Sequence, residues 1–239
     1  MFTPSAHLYD LIFQARGKDY QREAESVHHA IQEHIRADGN ALLDVACGTG
    51  THTHYLSAYY QVEGLDLDER MLAAARAKYP SIPFYQGDML TFDLGRQFDA
   101  ITCLFSSIAY VRTLDAMRQT IANFKRHLKP GGVMVVEPWF TPDDWFPGDI
   151  YATFVDEPYL KIARMNTTGR EGNLSYFVFH YMVGTPEGIE TFSERHELGL
   201  FTVEEYLDAF RACTLDVIRD PLWLNGCGLF IAIRSLEDA

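Results

Sequence analysis

Asp44-Val45-Ala46-Cys47-Gly48-Thr49-Gly50 ends a short apolar run in glycines, the residues that let a backbone come close to a ligand. A helix starting beyond such a turn presents free N–H groups to negative charge. A dinucleotide fingerprint would place a third glycine three residues after Gly50, but Thr53 stands there, which argues against NAD. Two carboxylates extend the pattern. Asp66 closes the run VEGLDL, where it can accept both hydroxyls of a ribose, and Asp88 closes Gln86-Gly87-Asp88, where an adenine amino group can donate to it. Met71 offers a soft thioether to a purine face. Each has an ordinary structural reading, as a helix cap or a core methionine. Together, on successive strands, they favour an adenosine-bearing ligand.

The elements that must position these residues follow from periodicity. Apolar runs at 41–46, 62–67, 82–88, 98–105 and 131–138 predict strands. Helical spacing over 19–37, 51–60, from 68 onward and over 114–128 separates most of them, with Lys129-Pro130-Gly131-Gly132 as a stop signal. Strands that are apolar throughout and alternate with helices predict a doubly wound, mostly parallel α/β sheet, with ligands beyond the strands' carboxyl ends. Residues 139–150 carry the prolines and aromatics of a loop. Alternating runs at 159–168, 174–183 and 189–198 then predict a three-stranded antiparallel meander. A helix at 202–213 and strands at 215–220 and 228–234 return to the core. The expected division is a core of 1–138 and 201–239 with an inserted unit at 139–200.

Composition narrows the function classes. The 239 residues carry 20 Lys+Arg against 33 Asp+Glu, a formal charge of −13, which disfavours a nucleic-acid partner. No apolar stretch reaches the ~18–20 residues of a membrane span. The first residues lack a basic segment and Asp10 breaks their apolar run, so no leader peptide is expected. Cys47, Cys103, Cys213 and Cys227 show no metal-ligand spacing, and reduced thiols in a cytoplasmic protein are expected, with no metal.

Taken as a set, LLDVACGTG, GLDLDERML, QGDM, FDAITCLF and LKPGGVMVVEP resemble the signature of class I S-adenosylmethionine-dependent methyltransferases. The resemblance implies a seven-stranded sheet with S-adenosylmethionine as cofactor. It places Ala46, Gly48 and Gly50 beneath the methionine part, Asp66, Leu67 and Met71 at the ribose and base, Asp88 and Met89 at the adenine, and Leu104 and Phe105 beside the sulfonium. Further segments (LYDLIFQARGKDYQREAE, CLFSSIAYV, VVEPWF, FHYMV, LFTVEEY and GCGLF) are similar to the N,N-dimethyltransferases of dTDP-linked amino sugars in desosamine and mycaminose formation. That likeness implies Tyr9 and Tyr20 closing the site, Tyr20 on the cofactor. It implies Tyr9, Tyr110 and His180 as catalytic groups, Glu137, Trp139, Arg164 and Asn225 toward the acceptor, and a homodimer.

One departure concerns the acceptor's diphosphate. Where the family has an arginine before Gly228-Leu229-Phe230, this chain has Cys227, and Arg16, Lys18, Arg164 and Arg170 are the candidate replacements for its charge. The expected reaction is methyl transfer to the nitrogen of a small amine, such as a dTDP-amino sugar. Methylation of another small metabolite on oxygen or nitrogen, and a cofactor-binding partner protein without catalysis, are the alternatives.

Overall fold

A computed structural model describes residues 5–223 and 226–238. Helices α1 (Tyr9–Ala15) and α2 (Tyr20–His34) precede an alternation of β1 (Ala41–Val45), α3 (Thr51–Leu56), β2 (Gln61–Asp66), α4 (Glu69–Lys78), β3 (Phe84–Gln86), β4 (Phe98–Cys103), α5 (Leu114–Arg126) and β5 (Leu128–Val136). Side-chain caps start the helices where the sequence supplies them: Asp19 accepts the Arg22 N–H, Asp68 that of Arg70, and Thr113 that of Ala116. Helix α5 buries Met117, Ile121 and Phe124 at helical spacing against the sheet. Strands β1, β4 and β5 are buried almost throughout, which is why they read as continuous apolar runs.

After β5 come β6 (Ile150–Glu157), β7 (Leu160–Glu171), β8 (Leu174–Thr185) and β9 (Gly188–Gly199), then α6 (Val203–Ala212), β10 (Leu215–Asp220) and β11 (Leu229–Arg234). The expected α/β core is present as a seven-stranded sheet in the order β10-β11-β5-β4-β1-β2-β3. All neighbours run parallel except β11, which is antiparallel to both β5 and β10. The chain builds outward from β1 to β3, then crosses to the other side of β1 with β4. The crevice beyond β1 and β4 is therefore the topological switch point, where ligands of such sheets bind.

The meander has four strands rather than three. Strand β6 was hidden in IYATFVDE because apolar side chains stand on both of its faces: Tyr151 and Val155 on one, Ile150 and Phe154 on the other. Without clean alternation the segment carries no period-2 signal. The neighbouring strands also run further than expected. Gly169 and Arg170 pair with Tyr176 and Ser175 inside the ladder, and the turn falls at Gly172-Asn173.

Candidate active site

A cavity of about 280 Å³ opens at the switch point, lined by Ala46, Gly48, Asp66, Leu67, Met71, Asp88 and Met89. Seven of the residues expected at a cofactor thus share one wall. Gly48 has φ +56°, and a Cβ added there would touch nothing, so the position faces open space. Gly50, at φ +75°, lines none of the site cavities; a Cβ there would lie 2.7 Å from the Phe84 ring, and its role is close packing behind the turn. Ala46 adopts φ 58° without being glycine, a strain of roughly 1–2 kcal/mol held at the site itself.

Asp66 accepts the Gly48 N–H at 2.8 Å on one oxygen and the Asp68 N–H at 2.8 Å on the other. A carboxylate has about four acceptor positions, so the cleft side of Asp66 retains lone pairs for two hydroxyls. Burial raises its carboxyl and the two backbone N–H groups draw it back. Asp88 fixes its own turn by accepting the Leu90 N–H at 2.9 Å.

Under α1 the cleft continues into a cavity of about 40 Å³ touched by Tyr9, Tyr20, Gly48, Leu104 and Phe105. The Tyr20 hydroxyl is buried there without a hydrogen-bond partner among the described residues. Such a donor beside a glycine turn fits the carboxylate of an amino-acid-bearing cofactor. Tyr20→Phe is expected to leave the unliganded protein as stable as before and to weaken cofactor binding about five- to tenfold, read by calorimetry and thermal melting. Helix α1 is held over the cleft by Asp10, which accepts from Thr49 Oγ1 at 2.7 Å and Thr51 Oγ1 at 3.1 Å and also pairs with Lys78.

A second cavity, about 360 Å³, lies between α1, the end of β4 and the β6–β9 sheet. It meets the first cavity at Tyr9, Ser107 and Tyr110. Its walls are aromatic: Phe13, Phe105, Trp139, Phe177 and Phe179. Trp139 is fixed by donating from Nε1 to Ser175 Oγ at 2.9 Å. Two guanidinium groups enter this apolar space. Arg164 is 4% exposed, lies 5.4 Å from the Phe13 centroid and 4.8 Å from that of Phe179, donates weakly to Thr153 at 3.5 Å, and is hydrogen-bonded to the Tyr181 hydroxyl. Its Nε meets no acceptor among the described residues. Arg16 also approaches the Phe13 ring, at 5.8 Å from its centroid. Of the other candidate charges, Lys18 pairs with Glu23 at 2.7 Å, and Arg170 binds the Pro142 and Gly172 carbonyls. Cys227 lines the cavity as a thiol pushed by burial up to about 11, so it stays neutral near pH 7.

Two further expected site residues stand elsewhere, and a third is not among those described. His180 lines neither cavity: Phe179 and Tyr181 point inward from β8, so the intervening side chain faces outward and is exposed. The histidine on the inner face is His196 of β9, whose Nδ1 lies 3.0 Å from the Tyr110 hydroxyl. Glu137 is buried behind the site, accepting the Phe105 N–H at 2.7 Å. Burial raises its carboxyl, partly offset by that N–H. Asn225 lies outside the described residues. His196, Glu194, Phe13 and Ser107 were not singled out from sequence; the alternation of FSERHEL carried the only signal, since it puts Glu194, His196 and Leu198 on one face.

A family described as methyltransferase domain matches residues 42–132. With the strand order and the cleft, it defines the chain as an S-adenosylmethionine-dependent methyltransferase. A Streptomyces fradiae protein named dTDP-3-amino-3,6-dideoxy-alpha-D-glucopyranose N,N-dimethyltransferase is 40% identical over 97% of this chain and 91% of its own length. The crystal structure of DesVI from Streptomyces venezuelae aligns with TM-score 0.92 and 38% identity, over 98% of this chain and 99% of that one. CalS10 from Micromonospora echinaspora, solved with S-adenosylmethionine bound and described as an amino pentose methyltransferase, aligns with TM-score 0.86 and 39% identity, over 95% and 97% of the two chains. The chain belongs to the dTDP-amino-sugar N,N-dimethyltransferase family.

Proposed function

We propose that this enzyme transfers methyl groups to the amino nitrogen of a nucleotide-diphosphate-linked amino sugar, and that Arg164 and Arg16 receive the diphosphate. The observation that carries this reading is a buried arginine that has no carboxylate partner among the described residues, in the cavity that meets the cofactor cleft. Burying a cation without a counter-charge costs several kcal/mol. Two phenyl faces return only about 1–2 kcal/mol of that each, so the arrangement suits an anionic ligand.

S-adenosylmethionine supplies an electrophilic methyl group already activated on sulfonium. The protein's contribution is to orient the amine and exclude water, which can supply roughly 7–11 kcal/mol of the barrier. Ala46, Gly48, Asp66, Leu67, Met71, Asp88 and Met89 hold the nucleoside side on this reading, with Tyr20, Leu104 and Phe105 at the methionine side. Tyr9 and Tyr110 stand where the amine would approach, and Trp139 walls the sugar.

The unit at 139–200 covers the acceptor with the inner face of its sheet. Its outer face exposes Phe154 at 66%, Met165 at 50% and Met182 at 52%, an apolar surface suited to a second copy of the chain. His180 belongs to that face. No helix of the described residues is long and apolar enough to cross a membrane. Both ligands on this reading are water-soluble metabolites of the cell interior, which places the enzyme in the cytoplasm.

The test is mass spectrometry of dTDP-linked 3-amino and 4-amino sugars after incubation with enzyme and S-adenosylmethionine. Gain of two methyl groups by one of them is the expected result. No gain, with cofactor binding intact by calorimetry, would overturn the acceptor assignment.

A further inference from the structure

We propose that Tyr110, His196 and Glu194 form a proton relay that strips the acceptor's ammonium group before each methyl transfer. The proposal rests on the amine-methylation reading above. An alkylamine carries its proton near pH 7, and in that form it has no lone pair with which to attack. Two successive methylations require the removal of a proton each time.

The relay is built from the meeting point of the two cavities inward. Tyr110 lines both. Its hydroxyl lies 3.0 Å from His196 Nδ1, and His196 Nε2 lies 3.6 Å from Glu194 Oε2. Glu194 is fixed in turn by the Ser5 N–H at 3.0 Å and the Ser5 hydroxyl at 2.9 Å. His196 is 2% exposed and Glu194 7%, and the His196 ring stands edge-on to Phe179 at 5.3 Å. Among the described residues, Tyr9 from α1, Asp66 from β2 and Tyr181 from β8 are the other ionisable groups that act on Tyr110, and Arg164 from β7 stands beyond them against Tyr181.

The surroundings set each member's task. Burial, then the nearby Tyr9, Asp66, Glu194 and Tyr181, push the Tyr110 hydroxyl far above its usual range, so it passes a proton on without resting as phenolate. Burial works against ionised Glu194, but the adjacent His196 imidazole and the hydrogen bonds from Ser5 outweigh it and hold the carboxyl below its usual range. The carboxylate is therefore present to stabilise an imidazolium. In the step itself, an N–H bond of the ammonium breaks and its electron pair stays on nitrogen. That proton bonds to Tyr110 Oη as the hydroxyl's own proton moves to His196 Nδ1. The imidazolium sits beside Glu194 and later returns the proton to solvent. Tyr110 is the group that touches the amine; His196 and Glu194 act through it.

The test is the pH profile of kcat/KM on the methylated amino sugar for wild type, Tyr110→Phe, His196→Gln and Glu194→Gln. The relay predicts a loss of about a hundredfold for His196→Gln near pH 7 that shrinks to a fewfold by about pH 10, where the amine deprotonates in solution. Tyr110→Phe should show the same shape, and Glu194→Gln a smaller version. A loss of equal size at every pH, or one expressed as raised KM alone, would overturn the relay and leave these residues as packing. A second readout needs no acceptor. The 15N spectrum of neutral His196, assigned by its absence from His196→Gln, should show Nδ1 without a proton and Nε2 with one. A proton on Nδ1 overturns the relay. Should the wild type methylate no amine at all, the functional reading fails and the relay with it. An active wild type with an unmoved profile defeats the relay alone.

Discussion

Arg164→Met is expected to raise the KM for a diphosphate-linked acceptor roughly ten- to a hundredfold, the equivalent of one or two charge-assisted hydrogen bonds. S-adenosylmethionine affinity should not change, because Arg164 lines the second cavity and not the first, to which the proposed function assigns the cofactor. Thermal stability should hold or improve. A buried arginine between Phe13 and Phe179, with Nε unsatisfied, costs desolvation energy that a thioether of similar length does not. That combination, weaker acceptor binding in an equally stable protein, separates a ligand-binding arginine from a structural one. Arg164→Lys should not restore binding, since a point charge cannot replace a planar fork held between two rings. Steady-state kinetics with both substrates, together with thermal melting, read all three outcomes. An unchanged acceptor KM would move the diphosphate elsewhere.

The second large effect is expected at Glu137, through backbone geometry. The chain leaving β4 passes through two consecutive left-handed non-glycine residues, Phe105 at φ 54° and Ser106 at φ 58°. Strain of this kind costs about 1–3 kcal/mol per residue and persists only where surrounding bonds over-determine it. Two bonds do so here: Glu137 accepts the Phe105 N–H at 2.7 Å, and the Ser106 hydroxyl donates to the Pro138 carbonyl at 2.7 Å. Both tie the end of β4 to the end of β5. Glu137→Ala removes one tie and leaves a partly buried N–H unsatisfied, a loss of about 1–3 kcal/mol. The melting temperature should fall by roughly 5–10 °C. Relaxation of the turn should displace Phe105 from the wall it shares between the cavities, lowering cofactor affinity about tenfold. Glu137→Gln keeps an acceptor oxygen in place and should behave nearly as wild type. If alanine and glutamine variants melt alike, the bond does not hold the turn.

The cofactor half was legible because its residues stand at fixed positions relative to strand ends. Once LLDVA and VEGLDL are strands of a parallel sheet, Gly48 and Asp66 must emerge at the same edge, and in the structure a 2.8 Å hydrogen bond joins them. The acceptor half was less legible because it depends on parity. In a sheet the face of a side chain reverses with every residue, so a histidine is in the cavity or outside it by a shift of one. His180 and His196 both sit in alternating runs, and only the register that sets Phe177 opposite His196 shows which faces inward. Tyr110 and His196 stand 86 residues apart, so no local pattern joins them. Glu137 stands at a strand end where a turn toward the ligand or away from it leaves the same sequence. Cys227 shows the same limit from the other side. No local pattern links that loop to other charges; the packed structure alone sets Arg16 and Arg164 around Phe13.

Helix α1 forms part of both chambers: Tyr9 lines each of them, Phe13 and Ile12 line the acceptor side, and Asp10 is latched to Thr49 and Thr51 of the glycine turn. Two ligands that rest against one short helix share the entropy of fixing it. Whichever arrives first bears most of that cost, and the other then binds to a wall already in place. Thermodynamic linkage makes the benefit mutual, so the factor by which cofactor tightens acceptor equals the factor by which acceptor tightens cofactor. On the proposed function both substrates meet at the same seven residues, Tyr9–Ala15, so cooperation between them is the expected result of measuring each one's affinity with and without the other.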